Sequence, residues 1–457
     1  MLRTVLFRPP VRFLLPVAAL CALSGCGFEN STHSAYNMGS RAGVFAGEDV
    51  MFIIGVEKFD RKEVGYSKLA DAQFRDADAT THPELAANPE YSHHIAELNQ
   101  EINGYLHKEG DKVMTITQIV ACDEDHKVSF PYNLRELKAG ESGPTSSTRM
   151  EHAFGNGREA VRSWAKSELR NSIRTAEQQG RPFTHVMVMC MGWVNDQEES
   201  VLRFRNIREQ AENAARAKGD RQFRPLVIGV TWPSGWLTNA DSKTRRLAGH
   251  LSSYTNKADD ADEVGMRIVC PLVFQQISPA IPKDVPLIGI GHSFGARVMT
   301  RAAYSHPLLK DNPSGQFDLL ISLQGAVSLR RWLPEVSGEG APYLIKSPPP
   351  HYLTASKHDK ANPKAMWSIS AGSQKALDTA RKPEYSHRFE TPTWRKATAT
   401  LEPPVKPGKT PVLIDCQEIV TNGGHDLYGS NMDRSGHNDV LDEDMGRCVY
   451  YMIQQIK

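Results

Sequence analysis

The sequence of 457 residues has no surplus of charge of either sign, because 54 lysines and arginines stand against 53 aspartates and glutamates, a net charge of +1. Such a balance creates no general field that concentrates nucleic acid or anionic lipid, so no nucleic-acid partner is expected. Hydrophobic residues make up 40% and charged residues 23%, which indicates neither a disordered chain nor a polytopic membrane protein. Function must therefore be argued from particular sites.

Cysteine is also scarce, with seven residues in the chain. Of the five that follow residue 26, none has a second cysteine two to four residues away, which argues against a zinc site or a redox pair, and no metal or other cofactor is expected. Cys190 lies within an apolar run, where an inert buried thiol is favoured over a catalytic one. The sequence leaves open whether Cys416 and Cys448 form a disulfide in an oxidising compartment.

The first 26 residues have the pattern of a targeting segment. Arg3, Arg8 and Arg12 form a positive region, and the apolar run from Leu14 to Leu23 is too short to span a bilayer comfortably. The run ends at Leu23-Ser24-Gly25-Cys26, which resembles the lipobox of bacterial lipoproteins. An ordinary secretory signal that happens to contain a cysteine is the alternative.

The lipobox resemblance implies cleavage before Cys26, a diacylglycerol on its thiol and a further acyl chain such as palmitate on its new amino group. Several acyl chains anchor a protein stably where one is marginal. Gly27 follows, and because no aspartate is there the resemblance favours the outer membrane of the cell envelope, if the cell has one. We therefore expect a signal peptide over residues 1–25 and a Gly-, Ser- and Asn-containing tether over residues 26–45.

Residues 46–150 are interpreted as an N-terminal extension that contributes strands, with Asp49 to Val56 and Lys112 to Val120 as candidates. From residue 151 to residue 457 helical and strand patterns alternate, and the strands are almost entirely apolar, which is typical of a mostly parallel sheet covered by helices on both faces. The fold class is therefore α/β. Five prolines between residues 380 and 409 predict a long surface excursion. The predicted strands of the regular part are His185 to Met191, Leu226 to Trp232, Val285 to Ile290, Asp318 to Leu323, Tyr352 to Ala355 and Pro411 to Ile414.

A G-x-S-x-G motif, Gly291-His292-Ser293-Phe294-Gly295, stands directly after one of these strands and directly before a helix. This context is the one that a nucleophile elbow requires, because the sharp turn exposes the serine hydroxyl at a helix N-terminus. Ser293 is therefore the predicted nucleophile. The plainer alternative is a serine that caps the helix beside packing glycines.

A serine nucleophile needs a histidine base held by a carboxylate, in the chain order Ser, acid, His. Asp359 follows a predicted strand and is the preferred acid; Asp318 and Asp415 are poorer candidates because of their positions along their strands. His437, on the loop before the terminal helix, is preferred as base over His425. His292 is expected to point away from the serine hydroxyl.

Two backbone N–H groups are needed to stabilise the oxyanion. That of Phe294 is one, and that of Trp193, in the strand-end turn Met191 to Asn195, is the predicted second donor. The acidic run Asp439 to Asp444 is interpreted as the negative first turn of a helix in preference to a calcium site.

Four segments together resemble bacterial alpha/beta-hydrolases of uncharacterised function: Met191 to Asn195, Trp232-Pro233-Ser234, His292 to Gly295 and Ser356 to Ala361. The resemblance covers residues 180–450. It implies the alpha/beta-hydrolase fold, supports the three catalytic assignments by position, and implies no cofactor and no settled substrate. The usual histidine before the first glycine and the usual methionine of the elbow are replaced here by Met191 and Phe294, which leaves the substrate type open.

The sequence thus predicts a serine hydrolase that cleaves a small-molecule or lipid carboxylic ester through an acyl-enzyme at the cell envelope. Residues 233–263, which include Trp236, Leu237 and Tyr254, are placed to line an acyl pocket. A thioesterase or acyltransferase with the same three residues is one alternative. A non-catalytic envelope lipoprotein on a hydrolase fold is the other.

Overall fold

The computed structural model describes residues 50–66, 74–83, 91–106, 112–123, 125–134, 150–192, 195, 197–234, 257–311, 315–361, 369–421 and 436–456. Several predictions lie outside the described residues: the signal peptide, the lipidation site at Cys26, the tether, the N–H of Trp193, the alternative base His425, and Trp236, Leu237 and Tyr254.

Eleven strands of the described chain form one mixed, mostly parallel sheet. They are β1 (Met51–Asp60), β2 (Lys112–Cys122), β3 (Val128–Asn133), β4 (His185–Cys190), β5 (Pro225–Thr231), β6 (Leu287–His292), β7 (Leu319–Leu323), β8 (His351–Ala355), β9 (Thr393–Arg395), β10 (Thr400–Glu402) and β11 (Val412–Asp415). Their order across the sheet is β10-β9-β11-β8-β7-β6-β4-β5-β1-β2-β3. β2 is antiparallel to β1 and β3, β10 is antiparallel to β9, and the remaining neighbours are parallel.

Helices cover both faces of the sheet. They are α1 (Ser92–Leu106), α2 (Ala153–Trp164), α3 (Arg170–Gln178), α4 (Gln197–Ala217), α5 (residues 257–280), α6 (Phe294–Ser305), α7 (Gln374–Ala380) and α8 (Glu443–Gln454). A π-helical segment, Ala165–Leu169, joins α2 to α3, and α5 contains two more, Val264–Val269 and Leu272–Ile277.

The strand β4 shows how the two faces arise. Val186 and Val188 belong to one buried apolar cluster, whereas Met187 and Met189 belong to a second one. Because successive side chains of a strand point to opposite faces, a fully apolar strand must be covered on both sides. α4 and α8 pack into the second cluster, and apolar residues of the other helices pack into the first.

The N-terminal extension is part of the same sheet. β1 pairs in parallel with β5, from Met51 beside Val227 to Gly55 beside Thr231, and β2 pairs with β1 in antiparallel register. The extension and the regular part of the chain therefore share one continuous hydrogen-bonded layer.

The segment between residues 380 and 409 differs from its prediction, because it is more than a surface excursion. It contains β9 and β10, which form a short hairpin at the edge of the sheet. Trp394 and Leu401 face each other in this hairpin and are both buried, and the Trp394 ring packs edge-on against Tyr451. These two buried side chains pack the hairpin against the rest of the protein, although the many prolines of the segment favour an exposed loop in the sequence-based prediction.

The described part of the chain contains neither a disulfide nor a group of three His, Cys, Asp or Glu residues that could hold a metal ion. Five cysteines are free buried thiols, and the two whose pairing the sequence leaves open, Cys416 and Cys448, interact through a hydrogen bond between separate thiols. Among the described helices, none combines the length and the apolar character that a membrane crossing requires.

Candidate active site

Ser293 occupies the sharp turn between β6 and α6. Its backbone has φ 56° and ψ −122°, a region that a residue with a side chain rarely adopts. Backbone hydrogen bonds hold this conformation: the Ser293 N–H donates to the Leu323 carbonyl at 3.1 Å, and the Ser293 carbonyl accepts from the N–H groups of Ala296 and Ala326 at 3.1 and 3.0 Å. The strained turn is therefore fixed by the neighbouring strand β7 as well as by its own helix.

Gly295 explains why the turn can lie so close to the sheet. A β-carbon at this position would stand 1.9 Å from the carbonyl oxygen of Cys190 at the end of β4, which no real side chain tolerates. The first turn of α6 consequently rests directly on the end of the neighbouring strand. This contact places the serine at the carboxyl edge of the sheet.

The structure brings together the three side chains that the sequence assigns as nucleophile, base and acid. His437 Nε2 lies 2.9 Å from Ser293 Oγ, and His437 Nδ1 lies 2.9 Å from Asp359 Oδ2. Asp359 is 1% exposed and Ser293 7%, while the His437 side chain is 12% exposed. Both are hydrogen-bond distances, and the one between Ser293 and His437 is within the range that proton transfer from a serine to a histidine requires.

The loop after β8 holds Asp359. Its backbone N–H donates to the Ser356 carbonyl at 3.3 Å, and its Oδ1 accepts from the Ala361 N–H at 3.0 Å, which leaves Oδ2 facing the imidazole. The two competing carboxylates have other partners. Asp318 accepts from the Leu287 N–H at 2.7 Å, and Asp415 pairs with Arg381 at 2.9 Å.

His437 lies on a 3-10 turn, Gly436–Asn438, just before α8. The Gly436 N–H donates to the carbonyl of His358 at 2.9 Å, which joins the turn of His437 to the loop that holds Asp359. On the other side, Arg203 of α4 donates to the side chain of Asn438 at 3.1 Å. Neighbouring elements therefore hold the turn of His437 from two sides.

The acidic run that follows has structural partners. Asp439 Oδ2 accepts from the backbone N–H of Thr421 at 2.7 Å, and Asp442 caps α8 by accepting from the Met445 N–H at 2.8 Å. Glu443 and Asp444 lie in the first turn of α8, where the helix dipole favours negative charge.

His292 is a site residue whose contact the sequence does not predict. The Nε2 atom of His292 lies 2.9 Å from the backbone carbonyl oxygen of His437. Burial, together with the proximity of His437 and Arg203, holds the pKa of His292 well below its usual value. The feature of the sequence that could have indicated this contact is a polar ring at the end of an apolar strand, because a buried polar group needs a hydrogen-bond partner.

The turn after β4, where the second oxyanion donor was expected, is anchored by the Trp-Pro-Ser strand end. Trp232 Nε1 donates to the Met191 carbonyl at 3.0 Å, and Ser234 Oγ donates to the Asn195 carbonyl at 2.8 Å. The Asn195 side-chain amide in turn donates to the Gly192 carbonyl at 3.2 Å. Phe294, the other expected donor, is the first residue of α6, where the helix dipole favours negative charge.

A buried ionic network includes Arg297 of α6, the helix that follows Ser293. Arg297 of α6 pairs with Asp262 of α5 at 2.7 Å, and Arg331 pairs with both Asp262 and Glu101 of α1, at 2.9 and 2.7 Å. Burial opposes ionisation of Glu101, but Arg331 and Arg301 outweigh it and hold the pKa of this carboxyl far below its usual value. The N-terminal extension thus supplies a counterion to arginines beside the nucleophile helix.

Comparisons with known proteins find similarity to several solved structures, including the two described below. No family model matches the chain, and no curated protein matches it in sequence. A Trichoderma reesei cutinase in complex with a phosphonate inhibitor is similar over 66% of this chain and 92% of its own, with 10% identity and a TM-score of 0.23. A metagenomic carboxyl esterase is similar over 58% of this chain and 75% of its own, with 13% identity and a TM-score of 0.21.

Proposed function

We propose that the protein is a serine hydrolase of the alpha/beta-hydrolase fold that cleaves carboxylic esters. The observation that carries the proposal is the pair of 2.9 Å contacts from the two ring nitrogens of His437, one to Ser293 and one to Asp359. A serine on a strained strand-to-helix turn, a histidine within reach and a buried carboxylate behind it form the arrangement that activates a hydroxyl for attack on a carbonyl.

The chemistry follows from this arrangement. His437 Nε2 accepts the hydroxyl proton as Ser293 Oγ bonds to the ester carbonyl carbon, and the carbonyl oxygen becomes an oxyanion held by the N–H groups of Phe294 and Trp193. When the carbon–oxygen bond to the alcohol breaks, His437 gives its proton to the departing oxygen. Water, deprotonated by the same nitrogen, then releases the acid and regenerates the serine.

Asp359 has a separate role in this scheme. It accepts the Nδ1 hydrogen of His437, so it selects the tautomer whose Nε2 is free to take a proton from the serine. It also stabilises the imidazolium that forms during the attack. No cofactor is required, since side chains and water supply every proton and electron pair.

The test is hydrolysis of p-nitrophenyl acetate by Ser293→Ala, with Ser305→Ala at the other end of α6 as the matched control. Loss of a triad member costs about a factor of a million in turnover, whereas Ser305→Ala should keep wild-type turnover. His437→Ala should abolish hydrolysis, and His425→Ala should only weaken it. Full activity of Ser293→Ala would contradict the proposal.

We propose further that Cys26 carries acyl chains that anchor the enzyme to the cell envelope, with the outer membrane as the favoured site. The lipobox-like sequence before it supports this location. Cys26→Ser should release the protein from the membrane fraction, and mass spectrometry of the wild type should find an acylated N-terminal cysteine. Unchanged fractionation of the variant, with no acyl adduct on the wild type, would contradict the anchor.

A further inference from the structure

His292, the residue immediately before Ser293, contacts the backbone of His437. His292 is the last residue of β6 and is buried, and its Nε2 lies 2.9 Å from the backbone carbonyl oxygen of His437. The two imidazole rings are tilted against each other, with their centroids 4.9 Å apart and their planes inclined by 41°. One strand end therefore bears both the nucleophile and a direct contact to the backbone of its base.

The protonation of His292 is defined by its surroundings. Burial lowers its pKa well below 6.5, and the nearby His437 and Arg203 lower it further, so the ring is neutral. A carbonyl only accepts hydrogen bonds, hence the single ring hydrogen must be on Nε2. Nδ1 is then a bare acceptor, and this buried atom has no hydrogen-bond partner among the described residues.

We propose that His292 is a positioning residue, whose Nε2–H holds the backbone of His437 so that the catalytic ring stays in line with Ser293. The inference rests on the proposed function, since it concerns the geometry of that site. Because His292 and Ser293 are adjacent in the chain, the anchor of the base and the nucleophile share one rigid strand end. A relaxation of the base turn by about 1 Å is enough to cost about a hundredfold in rate.

The buried Nδ1 without a partner offers a way to separate the positioning role of His292 from a contribution to stability. A buried polar atom without a partner destabilises the folded state, so an apolar replacement removes an unfavourable atom together with a useful bond. We therefore expect His292→Leu to unfold at nearly the wild-type urea concentration while its turnover falls. A residue with a purely structural role would lose both together.

The experiment measures kcat, KM and the urea midpoint of His292→Leu and His292→Gln on a p-nitrophenyl ester. The leucine variant should lose about tenfold to a hundredfold in kcat with KM within about twofold of wild type, and glutamine, which keeps an N–H donor at similar reach, should restore most of the loss. If the leucine variant fails to fold, His292→Asn replaces it, because the shorter amide cannot reach the carbonyl.

The matched control is His351→Leu. His351 is also a buried neutral histidine, with a pKa of about 3 caused by burial, and its Nε2 bonds the Ser322 hydroxyl at 2.9 Å near the amino end of β8. The His351→Leu variant should keep the wild-type kcat. Wild-type kcat in His292→Leu, or a loss that glutamine does not restore, would overturn this inference and leave the serine-hydrolase proposal intact; activity in Ser293→Ala would overturn that proposal itself.

Discussion

Gly192 lies directly against Ser293: a β-carbon added to Gly192 would stand 2.5 Å from the Cβ of Ser293 and 2.9 Å from its Oγ. The turn after β4 and the nucleophile elbow are therefore in contact without any side chain between them. This closeness is what a backbone donor on the turn needs in order to reach an oxyanion formed at Ser293.

Gly192→Ala should therefore abolish most of the activity. The new methyl group overlaps Ser293, so either the serine or the turn must shift, and we expect kcat/KM for ester hydrolysis to fall about a hundredfold or more. Gly155→Ala in α2 is the control, since a β-carbon there meets nothing within 4 Å. An active Gly192→Ala enzyme would show that the turn does not take part.

Trp232→Phe should lower kcat by about fivefold to tenfold, because it removes the indole N–H that holds the Met191 carbonyl. Trp332→Phe removes a comparable buried bond, from Nε1 to the Tyr304 hydroxyl at 3.0 Å, away from the triad. Steady-state kinetics and urea unfolding of both variants separate the effects. Both should lose about 1 kcal/mol of stability, but only Trp232→Phe should lose turnover.

The strand, the turn and the helix around Ser293 could be predicted from sequence because the constraints on them are local. The glycines, the strand before Ser293 and the helix after it all lie within one short segment, and the apolar face of α8 indicates which loop is held beside the sheet. The distance from His437 to Ser293 found in the structure, 2.9 Å, is the one expected of a base on that loop.

The contacts that His292 and Glu101 make with distant segments could not be predicted. His292 and His437 are 145 residues apart, and no periodic pattern tells which way a buried ring turns. Glu101 and Arg331 are 230 residues apart. A charged residue on a predicted helix is expected to be exposed to solvent unless its ionic partner is known. The hairpin at Trp394 was missed because the surrounding prolines dominate the local pattern.

Glu101→Gln should strongly destabilise the fold. Glu101 accepts hydrogen bonds from Arg331 at 2.7 and 2.8 Å and from the Ala341 N–H at 2.7 Å, so its loss leaves buried positive charge uncompensated. We expect a loss of about 3 to 5 kcal/mol in the free energy of unfolding by urea at pH 7. The exposed pair Glu159 and Arg162 provides the control, because Glu159→Gln should cost less than about 1 kcal/mol.

Acid should destabilise the protein through its buried neutral histidines. The pKa of His351 is about 3 in the folded state against 6.5 ordinarily, so below pH 6.5 the unfolded state binds a proton that the folded state refuses. The stability from this group is fully present above pH 6.5 and is lost as the pH falls toward 3. When the pH falls from 6 to 5, the free energy of unfolding should decrease in both proteins, but by about 1 kcal/mol less in His351→Leu than in the wild type. Parallel curves for the two proteins would contradict the assignment.

The most direct test of the central claim is covalent labelling of the folded protein with a fluorophosphonate, which reacts only with an activated serine. We expect one equivalent of label on the tryptic peptide of residues 284–297, in which Ser293 is the single serine, and no label on Ser293→Ala or His437→Ala. Label on another peptide, or a folded wild-type protein that takes up none, would contradict it.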